Sequence, residues 1–526
     1  MRKLTSSLFR WTVLSALCTV ATAQFRSIDG SGNNPLHPEM GAANTPLVRL
    51  MGLAYEDGKS SPRMTGMPSA RQVSNLIAAQ VTSIRNEERA SDMTWQWGQF
   101  LDHDIDLTEG AHPAERLDIP VPIGDPMFDP FHSGTQIIPL TRSKYSVDEA
   151  GVRQQMNGIT AWIDGSNIYG SDQARANALR TLDGTGKLRV SPGNLLPFNT
   201  DGLLNAGGPN PGLFLAGDIR ANEQSGLVAM HTLFVREHNY WAEQLASLGF
   251  SGNDTYELAR WVVIAEIQAI TYEEFLPVIL GDDALPDYPG YDPTIDANIS
   301  NVFSTVGYRF GHSMLSSELL RLDADMEEIP AGHLPLLGAF FNPAAITVHG
   351  IEPYLRGLAF QECQAVDNKV VDDVRNFLFG PPGAGGFDLV ALNIQRGRDH
   401  GIPCYNVIRA GCGLPPKPSF AAINPDPQLT SALANCYATV DDIDPWVGIL
   451  AEPPMDDALV GETAQAIMKH QFECLRDGDW FFYKNTMPPS LQEFIEDQTL
   501  GVIIRRNTTI GDEIDDDVFR AEQDDD

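Results

Sequence analysis

The sequence is poor in basic residues and has no long apolar run beyond its N-terminus. It contains 36 Lys and Arg against 70 Asp and Glu, which gives a formal net charge of −34. A surface this acidic repels nucleic-acid phosphates and anionic lipid headgroups. No later segment reaches the 18 or so consecutive apolar residues of a membrane-spanning helix. The sequence therefore predicts neither a nucleic-acid-binding protein nor an integral membrane protein.

Cysteine is scarce as well, with six residues in 526. There is no CxxC pair and no Cys/His cluster with zinc spacing. Cys18 lies in the N-terminal apolar stretch, and the other five are Cys363, Cys404, Cys412, Cys436 and Cys474. Five cysteines form at most two disulfides, which leaves one free thiol or a bond to another chain.

Residues 1–23 read as a secretory signal peptide. Arg2 and Lys3 precede the apolar stretch "WTVLSALCTVATA", which ends in an A-x-A cleavage pattern. This pattern predicts a secreted, extracellular protein whose mature chain begins near Gln24. Sequons at Asn253, Asn298 and Asn507 predict N-glycosylation in a host that carries the machinery.

Three further regions differ in composition. Residues 24–75 are rich in Gly, Pro, Ser and Asn, which predicts an extended arm that wraps the rest. Residues 76–510 repeat apolar residues near the i, i+3, i+4 spacing between Pro/Gly-rich loops, with little strand-like alternation and no internal repeat. The predicted fold is therefore mainly α, a single large helical domain with long loops and little β. Residues 511–526 form an acidic tail, expected to be disordered or loosely docked.

One helical stretch concentrates ionisable residues. In "WGQFLDHDIDLT", Gln99, Asp102 and His103 stand at i, i+3 and i+4, so they share one face, whereas Asp104 points elsewhere. A histidine in a helix is more often structural than catalytic. On its own this stretch therefore supports either interpretation.

Other segments carry similar ambiguity. Arg220 and Glu223, before a long helix, would ordinarily form a local ion pair. His312 lies among apolar residues, as a core histidine would, and "ALNIQRGRDHGIPCYN" crowds polar residues into a helix-like stretch. The loop "GITAWIDGSNIYGS" offers hard oxygen donors that suit Ca²⁺, although a plain turn explains it equally well.

Taken together and in order, these segments resemble the animal-type haem peroxidase family. This family belongs to the peroxidase–cyclooxygenase superfamily and includes the lactoperoxidase, myeloperoxidase and peroxinectin types. The matching pieces are "WGQFLDHDIDLT", "TAWIDGSNIYGS", "LAGDIRANE", "MHTLFVREHN", "YRFGHSM", "ALNIQRGRDHGIPCYN", "DIDPWVGILAE" and "FECLRDGDWFFY". They cover most of the chain after the arm, so the resemblance implies a helical haem peroxidase domain over 76–510.

The resemblance also implies a role for each residue. His103 would be the distal histidine, with Arg220 as its catalytic partner and Gln99 at the border of the peroxide and halide site. His312 would ligate the iron of haem b, and Asn393 would accept a hydrogen bond from its other ring nitrogen.

Further residues would hold the cofactors. Asp102 and Glu223 would form ester bonds to haem methyl groups. The residues that match the propionate-binding positions of the family are Asp106, Arg309 and Arg396. Those matching the calcium site are Asp104, Thr160, Asp164 and Ser166, with the carbonyl of Trp162.

The resemblance implies that the protein is a secreted haem peroxidase. It would use hydrogen peroxide, through a ferryl intermediate, to oxidise small anionic or phenolic donors. Gln224 stands where myeloperoxidase has a methionine that makes a third haem link. This departure favours bromide, iodide, thiocyanate or organic donors over chloride. Cys412 matches a family cysteine whose usual partner position is Ala466 here, which leaves Cys404 and Cys436 as alternative partners.

Two other functions fit the same superfamily. A fatty-acid dioxygenase would carry a tyrosine three residues before the proximal histidine, but that position is Arg309, and Tyr308 is one residue further back. An adhesive matrix protein that retains only the fold would not need His103, Arg220 and His312, and the sequence has no RGD or KGD. Nothing in the sequence specifies the oligomeric state.

Overall fold

Helices dominate the computed structural model, which describes residues 25–521. The predicted signal peptide and Cys18 lie outside the described residues. The α-helices are α1 (Ala70–Ile77), α2 (Asp92–Ile105), α3 (Ser166–Tyr169), α4 (Gln173–Leu179), α5 (Ser225–Ser247), α6 (Gly252–Ala269), α7 (Leu276–Leu280), α8 (Asn301–Thr305), α9 (Leu336–Ala339), α10 (Pro343–His349), α11 (Glu352–Phe360), α12 (Asp372–Arg375), α13 (Leu389–Asp399), α14 (Tyr405–Gly411), α15 (Phe420–Ile423), α16 (Pro427–Cys436), α17 (Pro445–Ala451), α18 (Glu462–Asp477), α19 (Tyr483–Thr486), α20 (Pro489–Glu496) and α21 (Leu500–Asn507). A π-helical turn, Ile270–Phe275, joins α6 to α7, and 3₁₀ turns span Gly307–Ser313 and Val440–Asp442.

The strands are short and form small antiparallel sheets. They are β1 (Thr45–Pro46), β2 (Ile119–Pro120), β3 (Ile137–Ile138), β4 (Tyr145–Val147), β5 (Arg153–Asn157), β6 (Glu318–Leu319) and β7 (Leu334–Pro335). One sheet has the order β1-β5-β4, with Thr45 opposite Asn157, and the other two pair β2 with β3 and β6 with β7. The predicted mainly α fold is confirmed. No helix within residues 25–521 is long and apolar enough to cross a membrane.

Helix α2 begins and ends where its sequence allows. The Ser91 hydroxyl accepts a hydrogen bond from the N–H of Met93, which caps the first turn. The helix ends at Ile105 because Asp106 is extended. Trp97 and Phe100 are fully buried and pack on Phe234 of α5, with ring centroids 5.7 and 5.1 Å away. Burial of this apolar face directs the opposite face of α2 toward a cavity.

The N-terminal segment packs on the loop at residues 159–167. The Nε1–H of Trp162 donates to the carbonyl oxygen of Gly30 (3.0 Å). Gly41 has φ +71°, and a Cβ there would lie 2.2 Å from the Trp162 ring, so this close approach requires glycine. The segment thus holds the loop in place, while its boundary at residue 75 stays a prediction.

The described part of the acidic tail, residues 511–521, is packed rather than loose. Phe519 is fully buried, and its carbonyl oxygen accepts hydrogen bonds from the Ser91 N–H (2.8 Å) and the Thr94 hydroxyl (3.0 Å). Ile514 and Val518 are buried as well. Loose docking was expected because the tail is acidic. The tail is packed because these apolar residues hold it against the start of α2.

The expected disulfides are absent from residues 25–521, where all five cysteines are free. Cys404 and Cys412 flank helix α14, so they lie about 12 Å apart at 1.5 Å per residue. A disulfide needs Cα atoms within about 7 Å, which rules out this pair. Cys363 is fully buried and is contacted by the amide of Asn86.

The three sequons differ in accessibility. Asn253 is exposed on α6. Asn298 is half-buried, and its side-chain oxygen accepts a hydrogen bond from the N–H of Gly41 (2.8 Å). The side chain of Asn507 donates to Glu237 and to the carbonyl of Ile503. In the folded protein, the amide of Asn253 is therefore the best placed for a glycan.

Candidate active site

A cavity of about 330 Å³ lies between α2 and the 3₁₀ turn Gly307–Ser313. Much of its wall is apolar, formed by residues that include Phe275, Phe310, Met314, Leu336, Leu389 and Leu392. Its ionisable and amide residues are Gln99, Asp102, His103, Arg220, Glu223, Gln224, Arg309 and His312. The structure thus brings together ionisable and amide residues from three distant segments of the chain.

His103 lies on the α2 wall and is only 3% exposed. Its Nδ1 is 3.7 Å from Oδ1 of Asp218, and its Nε2 is 3.9 Å from Oε2 of Glu223. Burial, reinforced by the cationic Arg220, holds the pKa of His103 well below the usual value. The imidazole is therefore neutral at neutral pH and has a lone pair available to accept a proton.

Arg220 is fixed by oxygen atoms on two sides. Its Nε and Nη2 donate to the two carboxylate oxygens of Asp218 (2.9 and 3.0 Å), and its Nη1 donates to Asp102 (3.2 Å). Nη2 also donates to the backbone carbonyl of Asp106 (2.8 Å). Burial opposes the charge, but Asp218 and Asp102 more than compensate and raise the pKa of Arg220. The arrangement keeps a cation beside the neutral His103.

Two carboxyl groups border the same space. Burial raises the pKa of both Asp102 and Glu223 to about 7. Gln99 Nε2 donates to Glu223 (3.2 Å), and Gln224 Nε2 donates to Oε1 of Gln99 (3.1 Å). A chain of amides therefore positions Glu223, and both carboxyl groups exchange protons near neutral pH.

His312 faces the cavity from the 3₁₀ turn. Burial, with help from nearby Arg309, lowers the pKa of His312 to about 3, so its ring is neutral. Its Nδ1 lies 2.7 Å from Nδ2 of the buried Asn393, whose Oδ1 accepts from Nη1 of Arg309 (3.2 Å). In this structure the amide nitrogen of Asn393 faces His312, because Arg309 occupies the amide oxygen. The acceptor role of Asn393 toward a haem-bound His312 stays a prediction.

The three residues predicted to bind propionates take different places. Arg309 lines the cavity. Asp106 caps the end of α2 behind that wall, and its Oδ1 is buried without a hydrogen-bond partner among the described residues. Arg396 does not line the cavity, since its Nη1 donates to the Thr141 carbonyl and the Ser143 hydroxyl and contacts a carboxylate. The propionate role of Arg396 stays a prediction.

Asp104 points away from the cavity, toward the loop at residues 159–167. Its Oδ2 accepts from the N–H groups of Asp164 (3.1 Å) and Gly165 (3.0 Å), and its carbonyl accepts from the Ser166 hydroxyl (2.7 Å). The Thr160 hydroxyl donates to Oδ1 of Asp164 (3.0 Å), whose Oδ2 has no hydrogen-bond partner within residues 25–521. Burial raises the pKa of Asp104 to about 8 and that of Asp164 to about 6.

This oxygen-rich loop has the donor chemistry of a hard-cation site. Two buried carboxylates and two hydroxyls converge, although the described residues contain no group of three or more His, Cys, Asp or Glu that could hold a metal. Trp162, the fifth predicted ligand through its carbonyl, is fully buried in the same loop. The unpartnered oxygen of Asp164 is the atom a cation would satisfy.

The same loop supports Arg220 through Asp218, a residue outside the set predicted from the sequence. The N–H of Asp218 donates to the Asn167 carbonyl (3.0 Å). A Cβ at Gly217 would lie 2.2 Å from the Ser166 carbonyl oxygen, so the two loops touch backbone to backbone. An acid two residues before an arginine in "LAGDIR" was the available signal. Hydrogen bonds and backbone contacts thus connect the oxygen-rich loop, α2 and Arg220.

Comparison with known proteins identifies the family to which the chain belongs. Residues 25–519 match the family model described as animal haem peroxidase. Peroxinectin A from Dictyostelium discoideum is 36% identical over 529 residues, covering 97% of this chain and 98% of that protein. The solved structure of peroxidase A from Dictyostelium discoideum superposes with a TM-score of 0.87 at 35% identity, covering 95% of this chain and all of that one.

A fatty acid alpha-dioxygenase from Arabidopsis thaliana also superposes, with a TM-score of 0.80 over 95% of this chain and 83% of that one. At 20% identity this likeness concerns the fold alone. The family match spans both walls of the cavity and extends through nearly all the described residues. The chain belongs to the animal haem peroxidase family, and it is a haem peroxidase.

Proposed function

We propose that the protein is a secreted peroxidase that uses hydrogen peroxide to oxidise bromide, iodide, thiocyanate or small phenolic donors. The observation that carries this proposal is the neutral His103 beside the fixed cation Arg220, facing His312 across one cavity. A neutral base and a cation near the same atoms are what heterolysis of a peroxide bond requires.

The residues present fit haem. The cavity is an apolar slot with a neutral imidazole in one wall, and the orientation of that imidazole is fixed by Asn393. His312 would hold the iron through Nε2, with Arg309 placed to meet a propionate. Bound there, haem would supply the redox chemistry that no side chain of the cavity provides. Ligation through Nε2 requires a proton on Nδ1, so we expect the Asn393 amide to turn its oxygen toward His312 in the haem complex.

The chain's own residues would manage protons and charge. His103 would accept the proton from the inner oxygen of peroxide and return it to the outer oxygen as the O–O bond breaks. Such proton transfer typically contributes about 10²–10⁴-fold. Arg220 would stabilise negative charge on the departing oxygen, and its pairing with Asp218 would keep it aimed without reorganisation.

Gln99, Glu223 and Gln224 would define the donor side of the cavity. Gln224 supplies a hydrogen bond to Gln99 where a methionine would supply a haem link. We therefore expect oxidation of bromide, iodide, thiocyanate and phenols to exceed that of chloride. Steady-state rates with peroxide and each of these donors test this order. A chloride rate equal to the bromide rate would contradict it.

Asp102 and Glu223 would form the two ester links to haem methyl groups, since both carboxyl groups line the cavity. After exposure to peroxide, acid–acetone extraction should leave haem attached to the wild type. Glu223→Ala and Asp102→Ala should each release a larger share. Complete extraction from the peroxide-treated wild type would show that no ester forms.

The oxygen-rich loop would bind Ca²⁺ through Asp104, Asp164, Thr160, Ser166 and the Trp162 carbonyl. Because Asp104 follows His103 directly, the ion would fix the end of α2. Chelation should lower the melting temperature, and Ca²⁺ should restore it. An Asp164→Ala variant should lose this response. A wild-type melting temperature that chelation leaves unchanged would count against the site.

The proposal of secretion rests on the sequence pattern of residues 1–23. It would be tested by N-terminal sequencing of the exported protein.

A further inference from the structure

A groove of about 770 Å³ opens on the surface and shares no lining residue with the haem cavity. Its walls come from the segment 181–194, the C-terminal half of α5 and the end of α21. Leu188 and Val190 are the two aliphatic residues among those that line it, and the rest carry hydrogen-bonding groups. This polar groove has the volume of a ligand site and suits a ligand rich in polar groups.

All four basic side chains of the polar groove are paired with carboxylates. The pairs, with their N–O distances, are Lys187 with Glu243 (2.7 Å), Arg236 with Glu352 (3.1 Å), Arg189 with Asp201 (2.9 Å) and Arg506 with Glu237 (2.7 Å). An anionic ligand would have to displace a carboxylate from each cation that it contacts, and the net charge of −34 adds a general repulsion. The groove is therefore unsuited to phosphate, sulfate or carboxylate groups.

The wall at residues 187–189 does not offer its backbone to an extended peptide. The side chain of Asn239 accepts from the N–H of Leu188 (2.8 Å) and donates to the carbonyl of Leu188 (3.1 Å). The carbonyl of Lys187 accepts from the N–H of Thr181 (3.0 Å). Peptides that add to a sheet edge bind through main-chain groups, and these groups are already bonded here.

The paired charges suit a ligand with many hydroxyl groups. A hydroxyl both donates and accepts hydrogen bonds, whereas Lys and Arg only donate and a carboxylate only accepts. Neighbouring hydroxyls can therefore accept from Lys187 and donate to Glu243 without separating the pair. Both side chains are accessible, with 33% and 62% of their surface exposed. Glu352, whose side chain is 21% exposed, offers a further acceptor beside Arg236.

Tyr240 adds a partly exposed aromatic ring to the polar groove. The guanidinium of Arg506 lies 5.0 Å from the centroid of this ring, and the Trp241 ring packs against it at 5.3 Å, so its orientation is fixed. Tyrosine suits sites where an apolar surface meets a wet one. A sugar ring has such a surface, because it carries C–H groups between its hydroxyls.

We propose that the polar groove binds an oligosaccharide of uncharged sugars. Its hydroxyl groups bridge the Lys187–Glu243 pair, and a C–H face of one sugar packs on Tyr240. Binding keeps the protein at a glycan-bearing surface and leaves the haem cavity open, because the two spaces share no lining residue. The inference does not depend on the proposed peroxidase function, since binding requires no peroxide.

Binding is measured by calorimetry and saturation-transfer NMR on the haem-loaded protein. The probes are cellotetraose, laminaritetraose, maltotetraose and tetraacetylchitotetraose, and we expect at least one of them to bind. Lys187→Ala removes a charged donor, and Val190→Trp fills space at a side chain that is 43% exposed. Each change should weaken binding about ten-fold, which corresponds to the loss of one charge-assisted hydrogen bond or of a similar contact.

Val407→Trp is the matched control, because Val407 is 49% exposed on α14 and lies outside the polar groove. It should bind the oligosaccharide as the wild type does. Failure of all four probes to bind the wild type would overturn the proposal. Wild-type affinity in both Lys187→Ala and Val190→Trp would overturn it as well.

A charge exchange separates an uncharged ligand from an anionic one. The double variant Lys187→Glu with Glu243→Lys keeps one donor and one acceptor, so we expect it to bind the neutral oligosaccharide with nearly the wild-type affinity. A heparin tetrasaccharide is the anionic probe and should bind more weakly than the neutral one. Tighter binding of heparin, with an affinity that falls as salt is added, would show an anion site and overturn the proposal.

Discussion

On the α2 side of the haem cavity, His103 lies among the ionisable residues Asp218, Arg220 and Glu223, whereas on the opposite side His312 is hydrogen-bonded to the amide of Asn393. Both imidazoles are kept neutral by burial. The first is surrounded by groups that can receive or stabilise charge during a reaction. The second is held by a neutral partner in a mostly apolar wall. In the proposed mechanism one burial effect would serve two tasks, and the neighbouring residues would decide which task each histidine performs.

The largest expected effect is on the His312 side. His312→Ala should abolish stoichiometric haem binding, because no other imidazole faces that wall among the residues lining the cavity. The ratio of Soret absorbance to protein measures it. His470→Ala, an exposed histidine on α18, is the matched control and should keep full haem content. A His312→Ala protein with full haem content and an unchanged spectrum would show that the ligand lies elsewhere.

A smaller effect should appear on the α2 side when Asp218 is changed. Asp218→Asn keeps an acceptor for Arg220 but removes the charge that fixes it. We expect the rate constant for reaction with peroxide to fall about 10–100-fold, the usual range for a residue that orients a catalytic group. Stopped-flow mixing of the haem-loaded variant with peroxide measures this.

Asn393→Ala is the comparison for that variant on the other wall. It should change the haem reduction potential while altering the peroxide rate constant less than Asp218→Asn does, since Asn393 contacts His312 and not the proton-transfer groups. Equal losses of rate in the two variants would mean that the walls do not divide their tasks as described.

The smallest effect tests whether burial alone shifts pKa values near the cavity. Glu274, on the turn that carries Phe275, has its pKa raised to about 8 by burial. A folded pKa above the unfolded one means that stability is present below about pH 4.5 and is lost as the pH rises through about 8. Glu274→Gln should therefore raise the melting temperature at pH 8.5 by on the order of 1–2 °C and leave it unchanged at pH 4.5.

Glu493→Gln, at an exposed glutamate of α20, is the control and should change the melting temperature equally little at both pH values. A Glu274→Gln variant with the same difference from wild type at both pH values would show that burial is not the cause. Thermal unfolding monitored by circular dichroism is sufficient for both variants.

Local periodicity could predict much of the α2 wall. The i, i+3, i+4 spacing of Gln99, Asp102 and His103 places them on one face, and Asp104 lies on another, as observed. The cap at Ser91 and the end at Asp106 also follow local rules. Asp218 could not be found in this way, because its contacts with Arg220 and His103 depend on how two loops pack through Gly217.

Features that depend on long-range packing could not be predicted from the sequence. The hydrogen bond from Arg309 to the amide oxygen of Asn393 is a contact that residue types alone do not encode. His312 lies in a 3₁₀ turn after α8, which the apolar residues around it do not predict. The acidic residues of the tail predicted loose docking, but the buried Phe519 packs the tail against the start of α2.

The central claim is that His103 moves the proton of peroxide in a cavity whose haem is held by His312. Its most direct test is the second-order rate constant for peroxide with haem-loaded wild type and His103→Ala at neutral pH. The expected result is a fall of about 10²–10⁴-fold with unchanged haem content. A His103→Ala protein that keeps its haem and reacts with peroxide at the wild-type rate would contradict the claim.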